Sequence, residues 1–64
     1  MPKVSADHLE ARRAQIVQAA TRLFAERGFS RTTMAEVVAA SGLSNGAVYH
    51  YFPSKSELVL AVVA

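Results

Sequence analysis

The stretch at residues 33–52, Thr-Met-Ala-Glu-Val-Val-Ala-Ala-Ser-Gly-Leu-Ser-Asn-Gly-Ala-Val-Tyr-His-Tyr-Phe, constrains the fold more than any other part of the chain. Met34, Val37 and Val38 fall at i, i+3 and i+4, so they share one face of a helix. Thr33 precedes that face and Glu36 follows three residues later, which is the spacing of a capping box. The Thr33 hydroxyl can accept from the Glu36 amide while the carboxylate reaches back to the Thr33 amide. Gly42 stands where this helix must stop, and glycine takes the left-handed conformation of a sharp exit without a Cβ clash. Leu43 then points inward, and Ser44 is placed to cap a second helix. Val48 and Phe52, at i and i+4, anchor that second helix to a core. Two short helices joined by a glycine turn make a helix-turn-helix, expected here at about residues 32–51.

The rest of the chain supplies what such a motif packs against. Asp7 with Glu10 repeats the capping-box pattern and predicts the start of a first helix near residue 7. Ile16, Ala20, Leu23 and Phe24 form one continuous stripe along it, with Arg12, Arg13 and Arg22 off the stripe's centre. Gly28 ends the helix, Phe29 is expected to fold back as a core plug, and residues 30–32 form a short polar link. After the motif, Pro53 blocks continuation, and Ser54 with Glu57 makes a third capping box that opens a fourth helix. Leu58, Val59, Leu60, Ala61, Val62, Val63 and Ala64 are apolar on every side of that helix, more than so small a domain can cover. The fourth helix therefore reads as cut within its length.

The expectation is an all-α chain: a three-helix, homeodomain-like helix-turn-helix bundle plus the start of a fourth helix. Residues 1–6 form a flexible N-terminal arm, residues 7–53 the bundle, with helices near 7–27, 34–40 and 45–51, and residues 54–64 the start of a connecting helix. The core comprises Ile16, Ala20, Leu23, Phe24, Phe29, Met34, Val37, Val38, Leu43, Val48, Phe52 and Leu58.

Length and composition narrow the function classes. With 64 residues the chain is one domain at most, and without cysteine it has no disulfide to stabilise it. A formal net charge of +2 and a pI near 9.5 are compatible with nucleic acid as a partner and equally with a solvated helical surface. Residues 1–5 lack the apolar core of a signal peptide, and no apolar run approaches the ~20 residues that span a bilayer. A cytoplasmic location is expected. His8 and His50 have no ligand-spaced partners for a metal, and no serine lies in a nucleophile elbow or phosphate loop. No enzyme and no cofactor are expected from this chain.

The outward residues of the motif's second helix are Asn45, Gly46, Ala47, Tyr49, His50 and Tyr51. Gly46 costs ~1 kcal/mol relative to alanine inside a helix. Close approach of the backbone to DNA accounts for it, and so does simple tolerance of glycine in a first turn. Thr33 and Ser44 offer hydroxyls that suit phosphate oxygens, although capping alone justifies both. The helix contains no lysine or arginine, so the commonest specific contact, a basic side chain on guanine, is missing. Asn45 can pair with adenine, the Ala47 methyl can pack on thymine, and Tyr49 and His50 offer a hydroxyl, a ring edge or a ring nitrogen. An interaction module would present an aliphatic stripe there instead. The alternative, a trihelical protein-interaction module that does not bind DNA, is disfavoured on that ground.

Gly-Leu-Ser-Asn-Gly-Ala-Val-Tyr-His-Tyr-Phe at 42–52 and Ser-Lys-Ser-Glu-Leu at 54–58 resemble the DNA-binding domain of TetR-family transcriptional regulators. Leu-Phe-Ala-Glu-Arg-Gly-Phe at 23–29 and Thr-Thr-Met at 32–34 fit the same family, so the resemblance covers about residues 11–58. It implies double-stranded DNA with a palindromic operator as the partner, and a ligand-responsive repressor as the whole protein. It also implies phosphate contacts from Tyr49, Tyr51 and Lys55. Beyond residue 64 it implies a larger helical domain that binds a small-molecule inducer and forms a homodimer.

Overall fold

A computed structural model describes residues 3–64, with side chains from residue 9 onward, and every element in it is helical. Helix α1 spans Lys3–Arg27, α2 Met34–Ser41, α3 Asn45–Tyr51 and α4 Lys55–Val63. The four helices follow in the expected order, and α2, α3 and α4 begin at the expected Met34, Asn45 and Lys55. The first helix does not start at Asp7. Residues 3–6 belong to α1, so the expected arm is helical from Lys3, because nothing between Lys3 and Asp7 is a glycine or proline that would stop the helix. Met1 and Pro2 lie outside the described residues, and the Asp7–Glu10 side-chain pair lies outside the described side chains.

At 25 residues, α1 is ~37 Å long at the usual helical rise, against principal extents of 41 × 23 × 17 Å for the molecule. Among the described side chains, the buried face of α1 lies in its second half. Ile16, Ala19, Ala20 and Leu23 are buried there, together with Val37 of α2, Val48 of α3, Phe52 at its end and Leu58 of α4. Phe24, Met34, Val38 and Leu43 pack against this cluster while remaining half-buried. Phe29 is not a core plug. It is 41% exposed and meets Phe24 edge to face at 5.5 Å, because Gly28 turns the chain outward before the ring can enter. The interior also holds two polar side chains absent from the expected core, Thr32 and Ser41. Both are satisfied: Thr32 Oγ1 donates to the Gly28 carbonyl at 2.8 Å, and Ser41 Oγ donates to the Val38 carbonyl at 2.9 Å while accepting from the Leu43 amide at 3.1 Å.

The helix joints follow the capping chemistry. Thr33 accepts from the Glu36 amide at 3.1 Å and its own amide donates to Glu36 Oε1 at 2.9 Å, a complete box. Ser44 accepts from the Ala47 amide at 3.1 Å and Ser54 from the Glu57 amide at 3.3 Å. Gly28 and Gly42 both have positive φ, 87° and 76°. At Gly42 the Gln15 side chain closes over the turn, its Nε2 donating to the Ser41 carbonyl at 2.6 Å, so α1 is tied to the last turn of α2. On α4, Leu58 is fully buried, but Leu60 and Val63 are 64% and 73% exposed. Its apolar sequence therefore divides into an inner face and an uncovered outer one.

Gly42→Val places a β-branched residue at φ 76° and is expected to cost on the order of 1–2 kcal/mol. The space itself is open, since an added Cβ would meet only Gln15 Nε2 at 3.7 Å, so the loss measures backbone strain. Urea denaturation of the two proteins checks it. An unchanged midpoint would show that the turn relaxes to negative φ.

Candidate nucleic-acid interface

Helix α3 has only seven residues, and its two sides are sharply different. Val48 and Phe52 are buried, and the Arg13 guanidinium of α1 stands 5.4 Å from the Phe52 ring centroid on the outside. Asn45, Gly46, Tyr49 and His50 are exposed. At ~100° per residue these four occupy an arc of roughly 140°, one continuous stripe facing away from the bundle. Ala47 lies at the margin of this stripe, half-buried. Tyr51 departs from the expected outward set: it is half-buried and packs on the core cluster, with its ring edge to face with His50 at 5.4 Å. Its place on the helix is nearer to Val48 than to Tyr49, which turns most of the ring inward.

The stripe carries one amide, one phenol and one imidazole around a glycine. Gly46 has no positive φ, and an added Cβ would meet nothing within 4 Å. Neither backbone conformation nor packing inside the chain requires a glycine there. Thr33 and Ser44, the caps of α2 and α3, are exposed as well. Each uses an oxygen lone pair to accept a backbone amide, which leaves the hydroxyl proton to donate to an outside acceptor. Capping and phosphate contact are therefore compatible at both positions.

Lys55, the remaining expected contact, is differently engaged. Its ammonium donates to the carbonyls of Phe29 and Thr32 at 2.8 and 3.0 Å. Arg31, read from the sequence only as part of a polar link, is exposed beside Thr32 and Thr33. A reading centred on α3 passes over it, and its adjacency to the Thr33 cap is the signal that would have found it. Glu36 completes the electrostatics. Its carboxyl lies below its ordinary value of 4.5, chiefly because the Thr33 amide donates to it, with the Arg27 guanidinium adding to the effect and desolvation opposing it. Among the described residues no group of three or more His, Cys, Asp or Glu could hold a metal ion, and no helix is long and apolar enough to cross a membrane.

Comparison with known proteins points the same way. Residues 16–62 match the family described as "Bacterial regulatory proteins, tetR family". The chain is 48% identical over 62 residues to the HTH-type transcriptional repressor Rv1474c of Mycobacterium tuberculosis, covering 97% of this chain and 33% of that protein. It is 44% identical to the HTH-type transcriptional regulator YfiR of Bacillus subtilis, over 97% of this chain and 30% of the relative. It is 40% identical to the HTH-type transcriptional regulator TtgR of Pseudomonas putida, over 98% and 30%. The chain thus spans about a third of the length of these relatives. No solved structure matches it significantly.

Because the Glu36 pKa is depressed in the folded chain, its contribution to stability is full above the ordinary carboxyl range and fades as pH falls through the folded value. Glu36→Gln is therefore expected to be less stable than the unchanged chain at pH 7 and nearly equal to it at pH 3. Urea midpoints at the two pH values check this. A stability gap that does not narrow in acid would assign the role of Glu36 to shape instead of charge.

Proposed function

The chain belongs to the tetR family of bacterial regulatory proteins, and from that premise we propose that it is the DNA-reading part of a larger transcriptional regulator. The carrying observation is the exposed stripe of Asn45, Gly46, Tyr49 and His50 on a helix anchored by Val48 and Phe52. A short helix held from behind, with polar and aromatic groups in front, suits insertion into a major groove. A surface for another protein would be expected to carry aliphatic anchors along this stripe, and none of the four is aliphatic.

In this reading Asn45 donates to and accepts from an adenine edge, and the Ala47 methyl lies against a thymine methyl at the margin of the contact. Tyr49 and His50 supply the remaining base or sugar contacts. The hydroxyls of Thr33, Ser44, Tyr49 and Tyr51 hold phosphates and set the register, and Arg31 brings a cation to the backbone beside Thr33. The chain itself carries out no catalysis and holds no cofactor. The whole regulator works in the cytoplasm as a ligand-responsive repressor, and its small-molecule inducer binds in a helical domain beyond residue 64. The same domain joins two copies so that two α3 helices meet a palindromic operator. The uncovered outer face of α4, with Leu60 and Val63, supports a continuation of the packing in that direction.

Asn45→Ala is expected to relax discrimination at a single base pair by ~1–3 kcal/mol and to leave the other positions unchanged. The check uses a duplex selected from a random pool by the unchanged chain, together with its single-base variants. An equal loss of affinity on every variant would make Asn45 a backbone contact. The 64-residue chain alone is expected to bind weakly and as a monomer, because the second half-site adds nothing without the dimerising part. Sedimentation that found a stable dimer of this chain at micromolar concentration would overturn that expectation.

A further inference from the structure

Gly46 is the one residue of the exposed α3 stripe that has no side chain. It stands near the middle of that stripe. At ~100° per residue, Tyr49 lies about 60° to one side of it and His50 about 40° to the other, each roughly one turn further along. An added Cβ would meet nothing within 4 Å, so neither ring closes over the position. The His50 ring is instead drawn aside, edge to face with Tyr51 at 5.4 Å. The stripe therefore has an open notch, floored by the Gly46 methylene and flanked by a phenol and an imidazole.

Nothing inside the chain accounts for the missing side chain. The φ is not positive, no neighbour needs the space, and alanine would strengthen so short a helix. A group that enters the notch from outside would exclude a Cβ. Resting on the DNA-binding reading above, we propose that this group is the 5-methyl of one thymine, which makes Gly46 a specificity-determining residue. The methylene floor offers neither donor nor acceptor to the polar edge of a base. Neither lysine nor arginine lies on α3 to draw a phosphate into the notch. The thymine methyl is the apolar group that a base pair presents in the major groove, and it is the size of the Cβ that is missing. Thymine is thus selected by shape, at a base pair where the other three bases leave the notch unfilled.

The test uses the unchanged chain and Gly46→Ala on a duplex selected from a random pool by the unchanged chain. Each thymine of that duplex is replaced in turn by uracil, which pairs alike and lacks the methyl. Urea denaturation is expected to give Gly46→Ala a midpoint no lower than that of the unchanged chain. On the parent duplex Gly46→Ala is expected to bind at least about tenfold more weakly, because two methyl groups claim one space. Removal of the facing methyl is expected to cost the unchanged chain about two- to fivefold. The same replacement brings Gly46→Ala to within about threefold of the unchanged chain, while replacement of any other thymine leaves the gap as it was. Equal binding of the two proteins to the parent duplex, a gap that no single replacement closes, or a lowered urea midpoint would each overturn the proposal. Absence of salt-dependent binding by the unchanged chain would instead remove the DNA-binding reading, and the role of Gly46 with it.

Discussion

Burial of Val48 and Phe52 in the cluster they share with α1, α2 and α4 is the contact on which the exposed face of α3 depends. Seven residues are too few for a helix to persist alone in water, where ~12–15 are needed even for favourable sequences. Gly46 in the first turn weakens the intrinsic tendency further. The helix exists because two apolar side chains on one side of it enter a pre-built cluster, and because Ser44 satisfies an amide at its start. The same two side chains fix its rotation about its own axis. With Val48 and Phe52 inward, Asn45, Gly46, Tyr49 and His50 have no direction left but outward.

The joints carry the remaining order. A small all-helical chain without disulfides can hold its helices at definite angles only if their ends are fixed. Here each connection is made by a hydroxyl cap, a left-handed glycine or both, and two of the three are also tied to a distant element. Gln15 holds the exit of α2 from α1, and Lys55 holds the exit of α1 from α4. Thr32 and Ser41 place their polar atoms inside the bundle at these two joints, each with its partners present. The motif is thus braced by side chains that lie outside it in sequence.

Local chemistry made much of this legible from sequence. Thr33, Glu36, Gly42, Ser44 and Pro53 act within a few residues of themselves, so the limits of α2 and α3 follow from their spacing. The buried stripe of α1 and the anchors of α3 follow from periodicity. What escaped was decided by residues far apart. Phe29 has the composition of a core residue, but the turn at Gly28 and the approach of Lys55 leave it at the surface. Thr32 reads as a linker residue and is buried because α1 and α4 close over its position. Tyr51 shares a helix with Tyr49, and only the rotation set by Val48 and Phe52 separates their environments. The start of α1 failed for a different reason: Asp7 and Glu10 look like a cap wherever they occur, and residues 3–6 contain nothing that ends a helix.

The length of α1 has a hydrodynamic consequence. A helix of ~37 Å does not fit across extents of 23 or 17 Å, so it must lie close to the 41 Å axis. The molecule is a rod with a knot of three shorter helices at one end, and it tumbles faster about the rod than end over end. Amide bonds in α1 point along the rod, so only the slow end-over-end tumbling reorients them. Their nuclear spins relax as if the protein were heavier than its 6.9 kDa, while amides in helices inclined to the rod sense the faster spin. A single correlation time would therefore misstate the mass of this domain, and the spread of relaxation rates would reveal the directions of its helices.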